Sequence, residues 1–135
     1  MVVGNNEILV KEEKTNLGSI RIADDVVRII AGLAATDVPG VSGMSGGVVG
    51  GIAEKLGRKN LSKGVKVEVG EKETAVDLYV IIDYGSRIPD VSAQIQESVK
   101  KAIETMTGLT VVEVNVNIQG VNFGSEAKEE DHRVK

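Results

Sequence analysis

The sequence predicts an α+β fold: a two-layer sandwich in which both helices pack on one face of a mainly antiparallel sheet. Several segments alternate apolar and polar residues, which is typical of half-buried strands, and two longer segments repeat apolar residues every three or four positions, which is typical of amphipathic helices. Their order is strand–helix–strand–strand–helix–strand. Because each strand has one apolar face and each helix one apolar stripe, such a sandwich buries all of them.

The first strand and the first helix are adjacent in the sequence. Gly18–Ile22 alternates and predicts a short strand. Asp24–Asp37 predicts a helix, because an aspartate can cap its first turn and Pro39-Gly40 follows its end. The residues predicted to face the sheet from this helix are Val26, Ile29, Ile30, Leu33 and Ala34.

A hairpin is predicted in the middle of the chain, where Val65–Val69 and Ala75–Tyr84 flank a polar turn. The second of these strands has the clearest alternation. Its predicted inner face consists of Val76, Leu78, Val80, Ile82 and Tyr84. Its predicted outer face consists of Ala75, Asp77, Tyr79, Ile81 and Asp83.

The second helix is predicted over Ile88–Met106, with Pro89 suited to its first turn and Gly108 to its end. Its predicted buried stripe consists of Ile88, Val91, Ile95, Val99, Ala102 and Met106. Val111–Gly120 is the last predicted strand, with Val112, Val114, Val116 and Ile118 facing inward.

These elements predict one domain over residues 17–121. We expect residues 1–16 to be a flexible, mostly disordered segment with room for one added strand. Residues 122–135 end in the charged sequence EAKEEDHRVK and are expected to form a disordered tail.

The composition excludes most kinds of catalytic and metal sites. The chain has no cysteine, and its one histidine, His132, lies in the charged tail. On the outer strand face, Asp77 and Asp83 are roughly 20 Å apart along the strand, too far for a catalytic carboxylate pair. We therefore expect no catalytic residues, no metal and no cofactor. The absence of a secretory signal and of a long apolar run predicts a cytoplasmic protein without a membrane span.

The stretch Val38–Gly64 (VPGVSGMSGGVVGGIAEKLGRKNLSKG) differs from the rest of the chain. It holds half of the 16 glycines and most of the basic run, the segment Glu54–Lys66 with five cations and one carboxylate, although the whole chain has a net charge of −4. The glycines predict a flexible loop with unusual backbone angles. A P-loop signature is absent, whereas Gly43–Gly46 fits the short GXXG pattern with which some modules clamp a nucleic-acid backbone.

Six pieces of the sequence together resemble the alkaline-shock-protein family, also described as envelope stress response proteins. They are GSIRIADDVVRIIAGLAA, VPGVSGMSGG, GRKNLSKGVKVEV, DLYVIIDYG, IPDVSAQIQESVK and VNVNIQGV. The resemblance implies a small, non-enzymatic cytoplasmic protein of Gram-positive bacteria. It also implies a protein partner that can be a membrane anchor, a place at the inner face of the membrane, and in some lineages a link to fatty-acid synthesis.

Two surfaces are predicted to bind a partner. The basic run contributes Arg58, Lys59 and Lys63, which suit an acidic protein or lipid headgroups. The outer strand face contributes Tyr79 and Ile81, which can also support self-association. The favoured function is an adaptor in envelope homeostasis. The alternative is a nucleic-acid-binding regulator that uses the glycine-rich and basic loop, although the acidic chain makes nucleic acid an unfavourable partner.

Overall fold

The computed structural model describes residues 2–3, 7–46, 63–70 and 73–124. Seven strands and two helices occur in these ranges. In chain order they are β1 (Val2–Val3), β2 (Glu7–Thr15), β3 (Gly18–Ala23), α1 (Asp24–Thr36), β4 (Val41–Met44), β5 (Val65–Val69), β6 (Glu73–Asp83), α2 (Ile88–Thr107) and β7 (Thr110–Asn122).

Strand β6 is the centre of the main sheet. Strands β4 and β5 pair antiparallel with it along one edge, end to end, and β7 pairs with it in parallel along the other edge. Both helices contact strands of this sheet and each other. The predicted α+β sandwich with a mainly antiparallel sheet is confirmed, and the β6–β7 pair is its one parallel element among the described residues.

The N-terminal part of the chain departs from the prediction. The segment expected to be mostly disordered, with room for one added strand, forms β2, which pairs antiparallel with β3 in a separate ribbon. The predicted strand at Gly18–Ile22 therefore exists but does not join the main sheet. Its place there is taken by Val41–Met44, for which the glycine-rich sequence predicts a loop because VSGM has weak strand propensity.

The core lies between the helices and one face of β6. The predicted inner residues Val76, Leu78, Val80 and Ile82 are at most 1% exposed, and they form one cluster with residues of both helices and of β7. Alternation succeeds on β6 because this central strand has one face against the helices and one face away from them. Tyr84, also predicted inward, is 72% exposed because the strand ends at Asp83 and the chain turns.

The predicted stripe of α1 is rotated from the observed one. Val27, Ile30, Ala31 and Ala35 are buried, whereas the predicted Val26 and Leu33 are 43% and 48% exposed. Residues 26–35 are almost all apolar, so the helix has apolar side chains on more than one side. Periodicity alone therefore cannot select the side that packs.

The buried stripe of α2 follows the prediction only through its first half. Val91, Ile95 and Val99 are buried as predicted. The stripe then continues in steps of four to Ile103 and Thr107, while the predicted Met106 is 68% exposed. The predicted first member, Ile88, is also exposed. The last predicted strand differs similarly, because Val112 is 56% exposed at an irregularity in the β6–β7 register.

Two buried threonines have opposite hydrogen-bonding environments. The Thr107 hydroxyl donates to the carbonyl of Ile103 (2.6 Å) and accepts the N–H of Leu109 (3.1 Å), so it closes the end of α2. The Thr74 hydroxyl is also buried, but it has no hydrogen-bond partner among the described residues.

The same substitution should therefore change stability in opposite directions at these two threonines. Thr74→Val removes an unsatisfied buried hydroxyl and is expected to raise the free energy of unfolding by about 1 kcal/mol. Thr107→Val leaves the Leu109 N–H unsatisfied and is expected to lower it by about 1–3 kcal/mol. Urea denaturation of both variants measures the two changes. A loss of stability in Thr74→Val would show that its hydroxyl has a partner.

Candidate partner-binding site

The end of the basic run meets the outer face of β6 at the backbone of Tyr79. The N–H of Ser45 donates to the carbonyl of Tyr79 (2.7 Å), and the N–H of Tyr79 donates to the carbonyl of Gly64 (2.8 Å). Strands β4 and β5 thus flank β6 almost as one continuous strand, and the chain between them leaves and rejoins the sheet at the level of Tyr79. The end of the basic run, with Lys63 and Lys66, therefore lies beside the outer-face residue that the sequence singled out.

Gly64 makes this junction sterically possible. Its φ is +78°, in the left-handed region that favours glycine. A Cβ on Gly64 would lie 2.8 Å from the Ser45 carbonyl oxygen and 2.9 Å from that of Tyr79. The chain can return to β6 this closely only because this residue has no side chain.

The outer face of β6 carries a small apolar area next to the junction. Tyr79 and Ile81 are both half-buried there, and the ammonium of Lys66 lies 5.5 Å from the centroid of the Tyr79 ring, in a cation–π arrangement. Ile81 pairs with Gly43 on one side and with Gly120 on the other. Because neither neighbour has a side chain, no cross-strand side chain lies directly beside Ile81 on the outer face.

Polar side chains surround this area. Asn115 donates to Asp77 (2.7 Å), and Asn122 donates to Ser42 (2.7 Å). The outer face of β6 contributes the carboxylates of Asp77 and Asp83. RNA-reading sheets present several aromatic rings and positive charge. This face presents one tyrosine and more carboxylates than cations, which disfavours RNA as its ligand.

The basic residues of the predicted site are only partly described. Lys63 is exposed, and its backbone lies next to the junction because it directly precedes Gly64. Arg58 and Lys59 lie outside the described residues. The proposed role of all three residues in binding stays a prediction.

The GXXG stretch is not a free loop in its first half. Gly43 pairs with Ile81 in the β4–β6 ladder, and the Ser45 N–H donates to Tyr79. A loop that clamps phosphates needs backbone N–H groups that are available to the ligand. The Ser45 N–H is already used within the sheet, which disfavours a nucleic-acid clamp at Gly43–Gly46.

An exposed aromatic pair escaped the sequence analysis. Tyr84 and Phe123 have ring centroids 5.2 Å apart and are 72% and 59% exposed, respectively. They meet because the Tyr84 N–H donates to the carbonyl of Asn122 (2.9 Å) at the ends of β6 and β7. The Asp-Tyr-Gly-Ser sequence around Tyr84 is typical of a turn and could have placed it outside the core.

The described residues show neither a metal cluster nor a membrane-spanning helix. No group of three or more His, Asp or Glu side chains in these ranges is placed to hold a metal ion. Neither described helix is long and apolar enough to cross a bilayer.

Comparison with known proteins identifies the family of the chain. The model of the alkaline shock protein 23 family, described as having a cell envelope-related function, matches residues 12–123. The chain belongs to this alkaline shock protein family. The membership confirms the resemblance found in the sequence, and the match begins within β2, upstream of the domain boundary predicted at residue 17.

Relatives of this alkaline shock family protein include two from Bacillus subtilis, both described as uncharacterized. YqhY is 37% identical over 125 residues, which cover 93% of each chain, and YloU is 36% identical over 112 residues, which cover 82% of this chain and 93% of YloU. A stress response regulator gls24 homolog of Streptococcus pyogenes is 36% identical over 102 residues. That match covers 75% of this chain but only 57% of the regulator.

Solved structures add little to this identification. A variant of the MamM C-terminal domain aligns with 74% of the alkaline shock family chain and 96% of its own, at a TM-score of 0.47 and 15% identity. A likeness this weak carries no argument about function.

Proposed function

We propose that this protein is a non-catalytic adaptor of the cell envelope that acts through protein contacts near the cytoplasmic membrane. The family description and the naming of relatives as stress response regulators support an envelope stress role. The observation that supports the proposal is the junction at Tyr79, where the end of the basic run lies next to an apolar area on the outer face of the sheet. A link to fatty-acid synthesis is a further prediction from the resemblance.

The junction offers two kinds of contact to one partner. Tyr79 and Ile81 supply apolar area on the central strand, and the exposed Lys63 contributes a cation from the end of the basic run. An acidic segment of an anchor protein, or the headgroups of anionic lipids, would complement the cations. Apolar area supplies affinity and charge supplies orientation and a faster encounter.

Charge reversal of the basic run tests this proposal. Arg58→Glu combined with Lys59→Glu and Lys63→Glu is expected to abolish recruitment to the membrane fraction. The Tm should change little, because surface ion pairs contribute only about 0–1 kcal/mol. Recruitment of the wild-type protein should also weaken with added salt, since exposed charges are screened. Cell fractionation and thermal denaturation measure the two effects.

A control reverses two exposed cations elsewhere, one fewer than the triple variant: Arg87→Glu just before α2 with Lys101→Glu on that helix. This variant should keep its recruitment. Loss in both variants would indicate a general effect of net charge, and full recruitment of a stable triple variant would move the contact to the Tyr79–Ile81 area. A clearly lower Tm of the triple variant would instead assign the basic run to folding.

A gel-shift titration separates the adaptor from a nucleic-acid-binding regulator. Phosphate contacts give an affinity that falls steeply with salt. We expect no shift of DNA or RNA even at low salt. A shift that the triple charge reversal removes would favour the regulator over the adaptor.

A further inference from the structure

Strand β7 lies at the edge of the main sheet. Among the described residues it pairs with β6 alone, so its opposite edge has no strand partner there. The free N–H and C=O groups of an edge strand can template another strand, and natural proteins usually cover or protect them. The two halves of β7 differ in how their unpaired edge is protected.

Helix α2 covers the first half of the edge with side chains four residues apart. Gln96 donates to the carbonyl of Val114 (3.0 Å). Lys100 donates to the carbonyl of Val111 (3.3 Å), and Glu104 accepts the N–H of Val111 (2.8 Å). The hydrogen bonds from Lys100 and from the Val111 N–H hold the pKa of Glu104 below its usual range, so its carboxylate is ionised at neutral pH. Among the described residues, the side-chain hydrogen bonds from α2 to this edge end at Val114.

Beyond Val114 no side chain of α2 is described as hydrogen-bonded to the β7 edge, and this part of the strand contains no charged residue. Residues 114–124 (VNVNIQGVNFG) include no Asp, Glu, Lys, Arg or Pro, although 27% of the chain is charged. Protected edges usually carry a charge, a proline or a bulge. This run has only the bulge at Gln119, whereas the five-residue strand β5 carries Lys66 and Glu68.

Apolar side chains are exposed at both ends of β7. Val112 is 56% exposed near its start, and Val121 and Phe123 are 43% and 59% exposed at its end. An uncharged edge flanked by exposed apolar side chains favours the addition of a strand.

We propose that Asn115–Asn122 pairs antiparallel with the same segment of a second copy, so that the sheet continues across a two-fold axis. Pairing about such an axis sets the segment against itself, and any charged residue near its centre would face a like charge. An uncharged run avoids this cost. The antiparallel direction also brings Val121 and Phe123 of each copy toward the start of β7 in the other copy, where Val112 is exposed.

Charge variants at Gln119 test this interface, because this exposed residue lies at the middle of the run. Sedimentation of the wild-type full chain should show a dimer that dissociates on dilution. Gln119→Lys and Gln119→Glu should each weaken the dimer, by about fivefold or more, since like charges then meet across the axis. An equimolar mixture of the two variants should restore dimers. This recovery is the signature of a segment that pairs with itself.

Gln94→Lys on the exposed side of α2 is the control and should leave the dimer unchanged. The proposal is overturned if the wild-type chain stays monomeric at high concentration. Slow amide exchange of residues 115–122 in such a monomer would show that another part of the same chain covers the edge. The proposal is equally overturned if the Gln119 variants dimerise as the wild type does, or if their mixture gains nothing. The inference is independent of the adaptor role, because the dimer is measured on purified protein without any envelope component.

Discussion

Replacing Ile82 with alanine is expected to lower the free energy of unfolding by about 2–5 kcal/mol, since a large buried side chain would leave a cavity. Ile82 is 1% exposed on the inner face of β6 and belongs to the core cluster that joins the sheet to both helices. Close packing around it leaves little room for neighbouring side chains to fill the space.

Ile81→Ala is the matched control, because it removes the same atoms from the next residue of the same strand. Ile81 is half-buried on the outer face between two glycines. Its replacement by alanine should therefore lower the free energy of unfolding by less than about 1.5 kcal/mol. Urea denaturation of both purified variants gives the comparison. Equal losses would contradict the one-sided core, or would show that a second copy or partner covers Ile81 in solution.

The contrast between these isoleucines shows which part of the fold could be predicted. Alternation assigned both faces of β6 correctly because its two sides meet different environments. The same reasoning failed for α1, where Val26 and Leu33 are as apolar as the buried Val27 and Ile30. When two faces of a helix are equally apolar, tertiary packing decides which one is buried. The periodicity of apolar residues in the sequence cannot predict that choice.

Strand β4 and the parallel β6–β7 pair also lay beyond sequence reasoning. VSGM has few residues that favour strands, and its pairing with β6 is a long-range contact. Direction and register of β7 depend on where α2 returns the chain to the sheet.

The candidate site was found in two separate pieces for the same reason. Composition identified the basic run, and alternation identified Tyr79 and Ile81. The end of the basic run lies beside Tyr79 because of ladder hydrogen bonds from Ser45 and to Gly64. No local pattern in the sequence predicts those bonds. The positions of Arg58 and Lys59 lie outside the described residues, so their part in the site rests on the charge-reversal experiment.

Gly64→Ala is expected to be the most damaging single-methyl addition at the junction. The left-handed backbone angle costs an alanine free energy, and its Cβ would lie under 3 Å from two backbone carbonyl oxygens, those of Ser45 and Tyr79. Strain and overpacking together should lower the free energy of unfolding by about 2–5 kcal/mol. Backbone atoms in a paired ladder cannot rotate away as a side chain can. We therefore expect β5 or β4 to separate from β6 near Tyr79.

Gly46→Ala separates the two causes, because Gly46 also has a positive φ, of +86°, but no atom lies within 4 Å of an added Cβ. The Gly46→Ala variant should lose only the free energy that a left-handed backbone conformation costs an alanine, about 1–2 kcal/mol. Hydrogen exchange at the Ser45 and Tyr79 amides reports the junction directly: fast exchange is expected in Gly64→Ala and slow exchange in Gly46→Ala. Similar stability of the two variants would mean that the chain can return to β6 by another path. The close approach at Tyr79 would then not be what joins the basic run to the outer face.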